Sequence, residues 1–226
     1  MQDLAKVSTL AAGKGFPVSR AIRNVEVRDR YNRLAPYIGI IDHLLLISMC
    51  RIRARAIQHL PISSAHTVVE LGCGTGRNFP HLRSAVSSSG RIIGVEFSQS
   101  MLDRAHALVR RKSLAVELVG EDIARYELPP ADLVLLSLCY HTLEHPVQTL
   151  SRIWDSLAPG ACLAIIDGKP PDFADGWLRP FGAKVLETLF MGDSGLRPWE
   201  NLARLGNVRM KKFLLGAYYV CWAVKP

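Results

Sequence analysis

A loop with a glycine at every second position carries the most readable chemistry in this chain. Val68-Val69-Glu70-Leu71 is an apolar, β-branched run, and it opens directly into Gly72-Cys73-Gly74-Thr75-Gly76. Glycines so placed adopt backbone conformations closed to other residues and let a ligand lie against the main chain. The sixth position of a G-x-G-x-x-G dinucleotide fingerprint is Arg77 here, and no Gly-Lys-Ser/Thr follows. The loop therefore matches neither a dinucleotide diphosphate site nor a P-loop. It suits a ligand without phosphates, one that brings a ribose and an amino-acid tail. Glu96 ends a second apolar run, about 20 residues past the last glycine, where a carboxylate can accept from both hydroxyls of a ribose. Asp122, in Gly120-Glu121-Asp122-Ile123, follows a third run and can accept from an adenine amino group. Glu70, just before the glycines, can hold the loop or face an ammonium.

A second cluster follows a fourth apolar run: Cys139, Tyr140, His141, Glu144 and His145. Imidazole is the side chain suited to proton transfer near neutral pH. His141 is thus the candidate base for an acceptor that must lose a proton, such as a phenol or a carbon acid. A neutral amine brings its own lone pair and needs no base. Tyr140 offers a ring face that can orient an ammonium, with plain packing as the alternative. His145 precedes Pro146 and reads as a helix-entry residue.

The elements that position these residues alternate. Strands are expected over Thr67–Leu71, Arg91–Glu96, Ala115–Val119, Asp132–Leu138 and Ala161–Asp167. Helices are expected near 78–84, from about 100 to 112, and from Pro146 onward. Such alternation implies an α/β doubly wound, Rossmann-like sheet, parallel, with right-handed crossovers and helices on both faces. Two further runs, Val208–Leu214 and Ala217–Val224, flank Leu215-Gly216 and read as an antiparallel hairpin, giving seven strands. Residues 1–60 read as an N-terminal helical lid, with Ile40, Ile41, Leu44, Leu45 and Ile52 at helical spacing. Residues 61–226 form the main domain. Within it, 168–200 is an aromatic-rich, acceptor-side cap with one helix near 183–191; Phe173, Trp177, Phe181, Phe190 and Trp199 are its candidate pocket lining.

Composition narrows the setting. The 226 residues are 49% hydrophobic and 21% charged, a globular mix. The net charge of +8 admits an anionic partner without choosing one. Five scattered cysteines without a Cys-x-x-Cys argue against a zinc ribbon or a redox pair, and no metal ligand set stands out. No signal peptide is evident, and the longest apolar stretch, Ile38–Ile52, is too short for the ~20 residues of a membrane span. A cytoplasmic protein is expected. The arginines of the N-terminal region (Arg20, Arg23, Arg28, Arg30, Arg33, Arg51, Arg53, Arg55) allow peripheral membrane contact, against the simpler reading of a solvated face. The sequence carries no signal for an oligomeric state.

Taken together, Glu70-Leu-Gly-Cys-Gly-Thr-Gly-Arg-Asn78 resembles motif I of class I S-adenosylmethionine-dependent methyltransferases. Asp132–Pro146 is similar to that family's fourth strand and following loop. Leu157-Ala-Pro-Gly-Ala161 is similar to its Leu-x-Pro-Gly-Gly turn, with alanine at the last place. Tyr31-Asn-Arg-Leu-Ala-Pro36, Arg197-Pro-Trp199 and Ala217-Tyr-Tyr219 look most like ubiquinone/menaquinone methyltransferases and bacterial phosphatidylethanolamine N-methyltransferases, with Asn32 in place of the usual aspartate.

The resemblance implies S-adenosylmethionine as cofactor, with S-adenosylhomocysteine as product. It places Gly72, Cys73, Gly74 and Gly76 under the methionine and ribose, with Glu70 and Asn78 flanking the loop. It places Glu96 on the ribose, Phe97 and Met101 against the adenine, and Asp122 and Ile123 at the adenine edge. Ser137 and Leu138 face the sulfonium, and Tyr31 sits in a lid over it. The absence of an Asp/Asn-Pro-Pro-Tyr tetrad after the fourth strand argues against a nucleic-acid substrate. The expected acceptor is a small molecule or lipid-like: the amine of a lipid headgroup first, or a carbon or oxygen of a quinone-like or aromatic metabolite with His141 as base. A cofactor-binding regulatory module without turnover is the competing class, and a nicotinamide oxidoreductase is the third, disfavoured by Arg77.

Overall fold

The computed structural model describes residues 27–29, 31–33, 49–169 and 196–226. The expected helix near 183–191 and cap residues Phe173, Trp177, Phe181 and Phe190 lie outside these, as do Arg20, Arg23 and Arg30. Seven strands run in chain order: β1 Thr67–Leu71, β2 Arg91–Val95, β3 Glu117–Val119, β4 Leu133–Ser137, β5 Cys162–Gly168, β6 Val208–Phe213 and β7 Tyr218–Val224. The helices are α1 Met49–Gln58, α2 Phe79–Ala85, α3 Gln99–Arg111, α4 Pro146–Ser156 and α5 Pro198–Ala203, with a 3-10 turn at Tyr140–Thr142. Residues 27–29 and 31–33 are also helical.

The sheet order is β3-β2-β1-β4-β5-β7-β6. The first five strands are parallel, and β7 pairs antiparallel to both β5 and β6. The expected hairpin is therefore present, turning through Leu214, Leu215 and Gly216, all at positive φ. The central strands read as unbroken apolar runs because helices cover both faces. On one face Val68, Leu133, Leu135 and Ala164 pack with Ile52 and Ala56 of α1, Phe79 and Leu82 of α2 and Ala105 of α3. On the other, Val69, Leu71, Val134, Leu136 and Ile165 pack with Leu150, Ile153 and Trp154 of α4 and Leu202 of α5. Burying each of these aliphatic side chains contributes about 1.5–3 kcal/mol, so the sheet centre is a stiff platform for the loops at its edge.

Strand β1 has the expected bounds, the other six shift by a residue or two, and two of these shifts have a visible cause. In β3 only Glu117–Val119 pair with Ile93–Val95. The Ala115 carbonyl is taken instead by the guanidinium of Arg83, which also serves Val86, Ser87 and Gly90. Strand β4 stops at Ser137 because Leu138 turns to φ +57, a left-handed conformation costing a branched side chain about 1–2 kcal/mol. Its N–H still donates to the Ile166 carbonyl at 2.8 Å, so the chain leaves the sheet abruptly but anchored.

Candidate active site

The order of the parallel strands reverses between β1 and β4, and open α/β sheets bind ligands at the carboxyl ends flanking such a point. The structure brings the predicted residues there on four adjacent strands. Gly72 and Cys73 donate their N–H groups to the Val95 carbonyl at 2.8 and 3.0 Å, which pulls the glycine loop against the end of β2. Gly72 sits at φ +69, and a β-carbon there would lie 2.9 Å from the Cys139 side chain. Gly74, at φ +55, is different: a β-carbon would meet nothing within 4 Å. Its backbone borders open space. Gly76 completes the turn, and its carbonyl accepts from Phe79 N at 3.0 Å.

Two buried carboxylates flank this loop. Glu96, 5% exposed, accepts from Gly74 N through one oxygen and from Ser98 N through the other, both at 2.9 Å. Burial raises its pKa, and N–H donation from Ser98, Gly74 and Phe97 pulls it back. Each oxygen keeps a lone pair for a hydroxyl donor, so Glu96 both shapes the loop and retains its ribose-binding capacity. Glu70, 1% exposed, accepts from the Asn78 amide at 2.6 Å through Oε1. Among the described residues nothing donates to its other oxygen, Oε2. Burial pushes its pKa up to about 7; the Asn78 hydrogen bond and the Arg53 charge oppose this, and Glu96 adds to it.

The residues expected at the adenine lie on the segments after β2 and β3. Met101 is buried in the first turn of α3, its N–H capped by Ser98, while Phe97 is half-buried. Ile123 is buried, and Asp122 is half-buried with one oxygen accepting from Ala124 N, so part of its work is shaping its own turn. Ser137 is buried at the end of β4, its hydroxyl without a partner among the described residues. Half-buried Leu138 follows it. Tyr31 is half-buried, and the adjacent Asn32 accepts from the Ser98 hydroxyl at 2.6 Å. This ties the N-terminal segment to the start of α3, beside Glu96.

At the ends of β4 and β5 the second predicted cluster divides. The Tyr140 ring is fully buried in the core, and its hydroxyl accepts from Asn201 at 2.9 Å. Burial pushes its pKa up to about 12, against the pull of Asn201. That is the packing alternative; no ring face is left for an ammonium. His145 caps the entry to α4, its carbonyl accepting from Thr149 N. His141 is half-buried, with Nε2 3.3 Å from Oδ2 of Asp167 at the end of β5. The pair is close enough for an ion pair but not aligned as a hydrogen bond, so by hydrogen-bond geometry both ring nitrogens and Oδ2 lack partners among the described residues. Asp167 was not among the predicted site residues. Its sequence signal was slight: an acid ending the apolar run Cys162–Ile166.

The fit of an adenosyl amino acid to this site can be judged from the residues themselves. A buried carboxylate oxygen without a donor, open space beside Gly74, and a carboxylate with spare acceptor capacity on the next strand are complementary to an ammonium and a ribose. Among the described residues no group of three His, Cys, Asp or Glu side chains is placed to hold a metal ion. No described helix is long and apolar enough to cross a membrane.

Known proteins share this fold. Residues 68–160 match a family described as a methyltransferase domain. A demethylmenaquinone methyltransferase of Lactobacillus johnsonii is 26% identical over 151 residues, 65% of this chain and 62% of that protein. A trans-aconitate 2-methyltransferase of Methylobacterium nodulans is 34% identical over 113 residues, 50% of this chain and 42% of that protein. The chain thus spans less than two thirds of the length of these two relatives. The solved structure of the plantazolicin methyltransferase BpumL in complex with SAH has a TM-score of 0.61 at 13% identity, covering 89% of this chain and 96% of that one. At such identity the likeness is one of fold. The sheet and the matched stretch together define a Rossmann-like fold similar to that of S-adenosylmethionine-dependent methyltransferases.

Proposed function

We propose that this protein transfers a methyl group from S-adenosylmethionine to a small apolar or amphipathic acceptor. The observation that carries the reading is a glycine loop entered by Glu70, whose buried Oε2 has no donor among the described residues, with open space at Gly74 and Glu96 one strand away. When bound, the cofactor supplies an activated methyl: the acceptor's lone pair forms the new bond while the carbon–sulfur bond breaks and its pair stays on sulfur. The chain's own work is to bind and orient. Glu70 receives the ammonium, Glu96 the ribose, and Met101, Phe97 and Ile123 border the adenine, with Asp122 at its edge. Ser137 and Leu138 face the reacting centre. Alignment of this kind can supply about 7–11 kcal/mol of the barrier. Residues 1–60 act as the lid, a role supported by the Asn32–Ser98 contact, and 168–200 as the acceptor-side cap. The setting is the cytoplasm, the partner a small molecule rather than a nucleic acid.

Of the two acceptor classes, a carbon or oxygen of a quinone-like or aromatic metabolite is favoured over a lipid amine. His141 facing a buried carboxylate is equipment an amine would not need, and one relative bears the name demethylmenaquinone methyltransferase. The exposed Arg51 and Arg55 keep a lipid surface as the second reading. Thermal unfolding with S-adenosylhomocysteine or NAD tests the donor, since a ligand of the native state raises the melting temperature. A shift is expected with S-adenosylhomocysteine alone, and Glu96→Ala should lose most of it. A shift with NAD alone defeats the reading. Labelled S-adenosylmethionine incubated with cell extract then tests turnover: a labelled small molecule is expected, and its absence from both lipid and aqueous fractions favours a binding module.

A further inference from the structure

Asp167 is a buried carboxylate with no assigned work. It closes β5 at 4% exposure. Its Oδ1 accepts from Gly168 N at 2.8 Å, while Oδ2 has no hydrogen-bonded partner among the described residues. Leaving a buried charged oxygen without a donor costs more than an ordinary lost hydrogen bond. Among the described residues five groups interact electrostatically with it: Cys139 from the loop after β4, Tyr140 and His141 from the 3-10 turn, and Tyr219 and Cys221 from β7. Only His141 among these can bear a positive charge. Tyr219 lies directly opposite Asp167 in the β5–β7 ladder and is fully buried. Burial first, then the Asp167 charge, lifts its phenol well above the usual range, so it stays a neutral wall.

We propose that Asp167 is the positioning residue of His141, and that the pair marks an acceptor whose methylated atom carries a proton. This rests on the methyl-transfer reading above. Nε2 lies at ion-pair distance from Asp167, so the carboxylate favours the tautomer with its hydrogen on Nε2 and leaves Nδ1, without a partner among the described residues, as the base. The acceptor's O–H or acidic C–H gives its proton to Nδ1. The bonding pair stays on the acceptor and forms the bond to the methyl carbon. Positive charge thus passes from the sulfonium to the imidazolium, where Asp167 balances it. An Asp beside a His that fixes tautomer and stabilises the imidazolium is a recurring device in proton transfer.

The test uses the full chain with S-adenosylhomocysteine present and histidine labelled with 15N. His141, assigned by its loss in His141→Gln, should show one tautomer, with the hydrogen on Nε2. Asp167→Asn removes the anion and keeps the shape, and should give a mixed or reversed tautomer. An unchanged pattern overturns the proposal. The reciprocal variant guards against misfolding in Asp167→Asn. His141 lowers the Asp167 pKa, so in His141→Gln the 13C carboxyl signal of Asp167 should titrate at higher pH than in wild type. An unmoved midpoint likewise overturns the pairing. Both variants should keep the wild-type thermal shift with S-adenosylhomocysteine. If wild type itself shows no such shift, the methyl-transfer reading has failed, while the pairing is judged by the resonances alone.

Discussion

The two buried carboxylate centres at the edge of the sheet are built on opposite plans. At β1 and β2, Glu96 has both oxygens engaged by backbone N–H groups and Glu70 is held by Asn78. These bonds fix the glycine loop, and one unclaimed oxygen remains. At β4 and β5, Asp167 accepts, among the described residues, only from its neighbour Gly168 N, and His141 Nε2 meets its other oxygen without good hydrogen-bond alignment. The first centre is built from main chain and recognises by shape. The second is built from side chains and is loose until something completes it. Substitutions at the second centre therefore disturb less backbone than substitutions at the first, because only the Gly168 N–H depends on Asp167.

Variants can break or sharpen this contrast. The largest effect is expected at the loose centre. His141→Gln should lower turnover on a phenolic or carbon acceptor by about 10²–10⁴-fold, the usual span for a lost general base, with S-adenosylhomocysteine affinity unchanged; steady-state kinetics and titration calorimetry read both. Next come two glycines of one loop. Gly72→Ala meets Cys139 at positive φ and should destabilise the fold by about 2–3 kcal/mol. Gly74→Ala meets no protein atom, so it should cost only about 1–2 kcal/mol yet weaken S-adenosylhomocysteine about tenfold or more, about 1.4 kcal/mol. Denaturant melts and calorimetry should rank the two in opposite orders.

A smaller effect depends on pH. Glu70 has its pKa raised from 4.5 to about 7 in the fold. Between those values the folded state keeps a proton that the unfolded chain has lost, so stability from this group falls as pH rises, by at most about 3 kcal/mol. Glu70→Gln should remove that decline, seen as a melting temperature that gains on wild type between pH 5 and pH 8. An ammonium stabilises ionised Glu70, so wild-type affinity for S-adenosylhomocysteine should strengthen over the same range, and the variant should lose that gain. The smallest change is Asn32→Ala. Loss of its bond to Ser98 should cost about 1 kcal/mol and weaken S-adenosylhomocysteine a few-fold by titration.

The sequence made the main-chain centre readable and left the side-chain one half hidden, for the same reason that they differ. The glycine loop, Glu96 and the strand order all rest on local patterns: alternate glycines, apolar runs, an acid at a fixed distance. His141 also stood out as a polar residue just past an apolar run. Asp167 did not, because its significance comes from β5 lying beside β4 and from a loop that turns back at Leu138. Tyr140 shows the converse. Its neighbour His141 is at the site, but the 3-10 turn sends Tyr140 inward to Asn201, a helix residue that no local pattern ties to it. Strand β3 was overdrawn because Ala115 and Val116 have strand-like types, yet Arg83 had claimed the Ala115 carbonyl.

Strand β7 comes last among the seven in the chain but lies between β5 and β6. Until Tyr218–Val224 have emerged from the ribosome, β5 presents a bare apolar edge able to recruit foreign strands. Assembly of this half of the sheet must therefore wait until β7 has been made, and a nascent chain stalled just before that strand would be a natural client for a chaperone. Asp167 meets Tyr219 only once β7 has joined, so the surroundings of His141 and Asp167 close later than the glycine loop, which needs only β1 and β2.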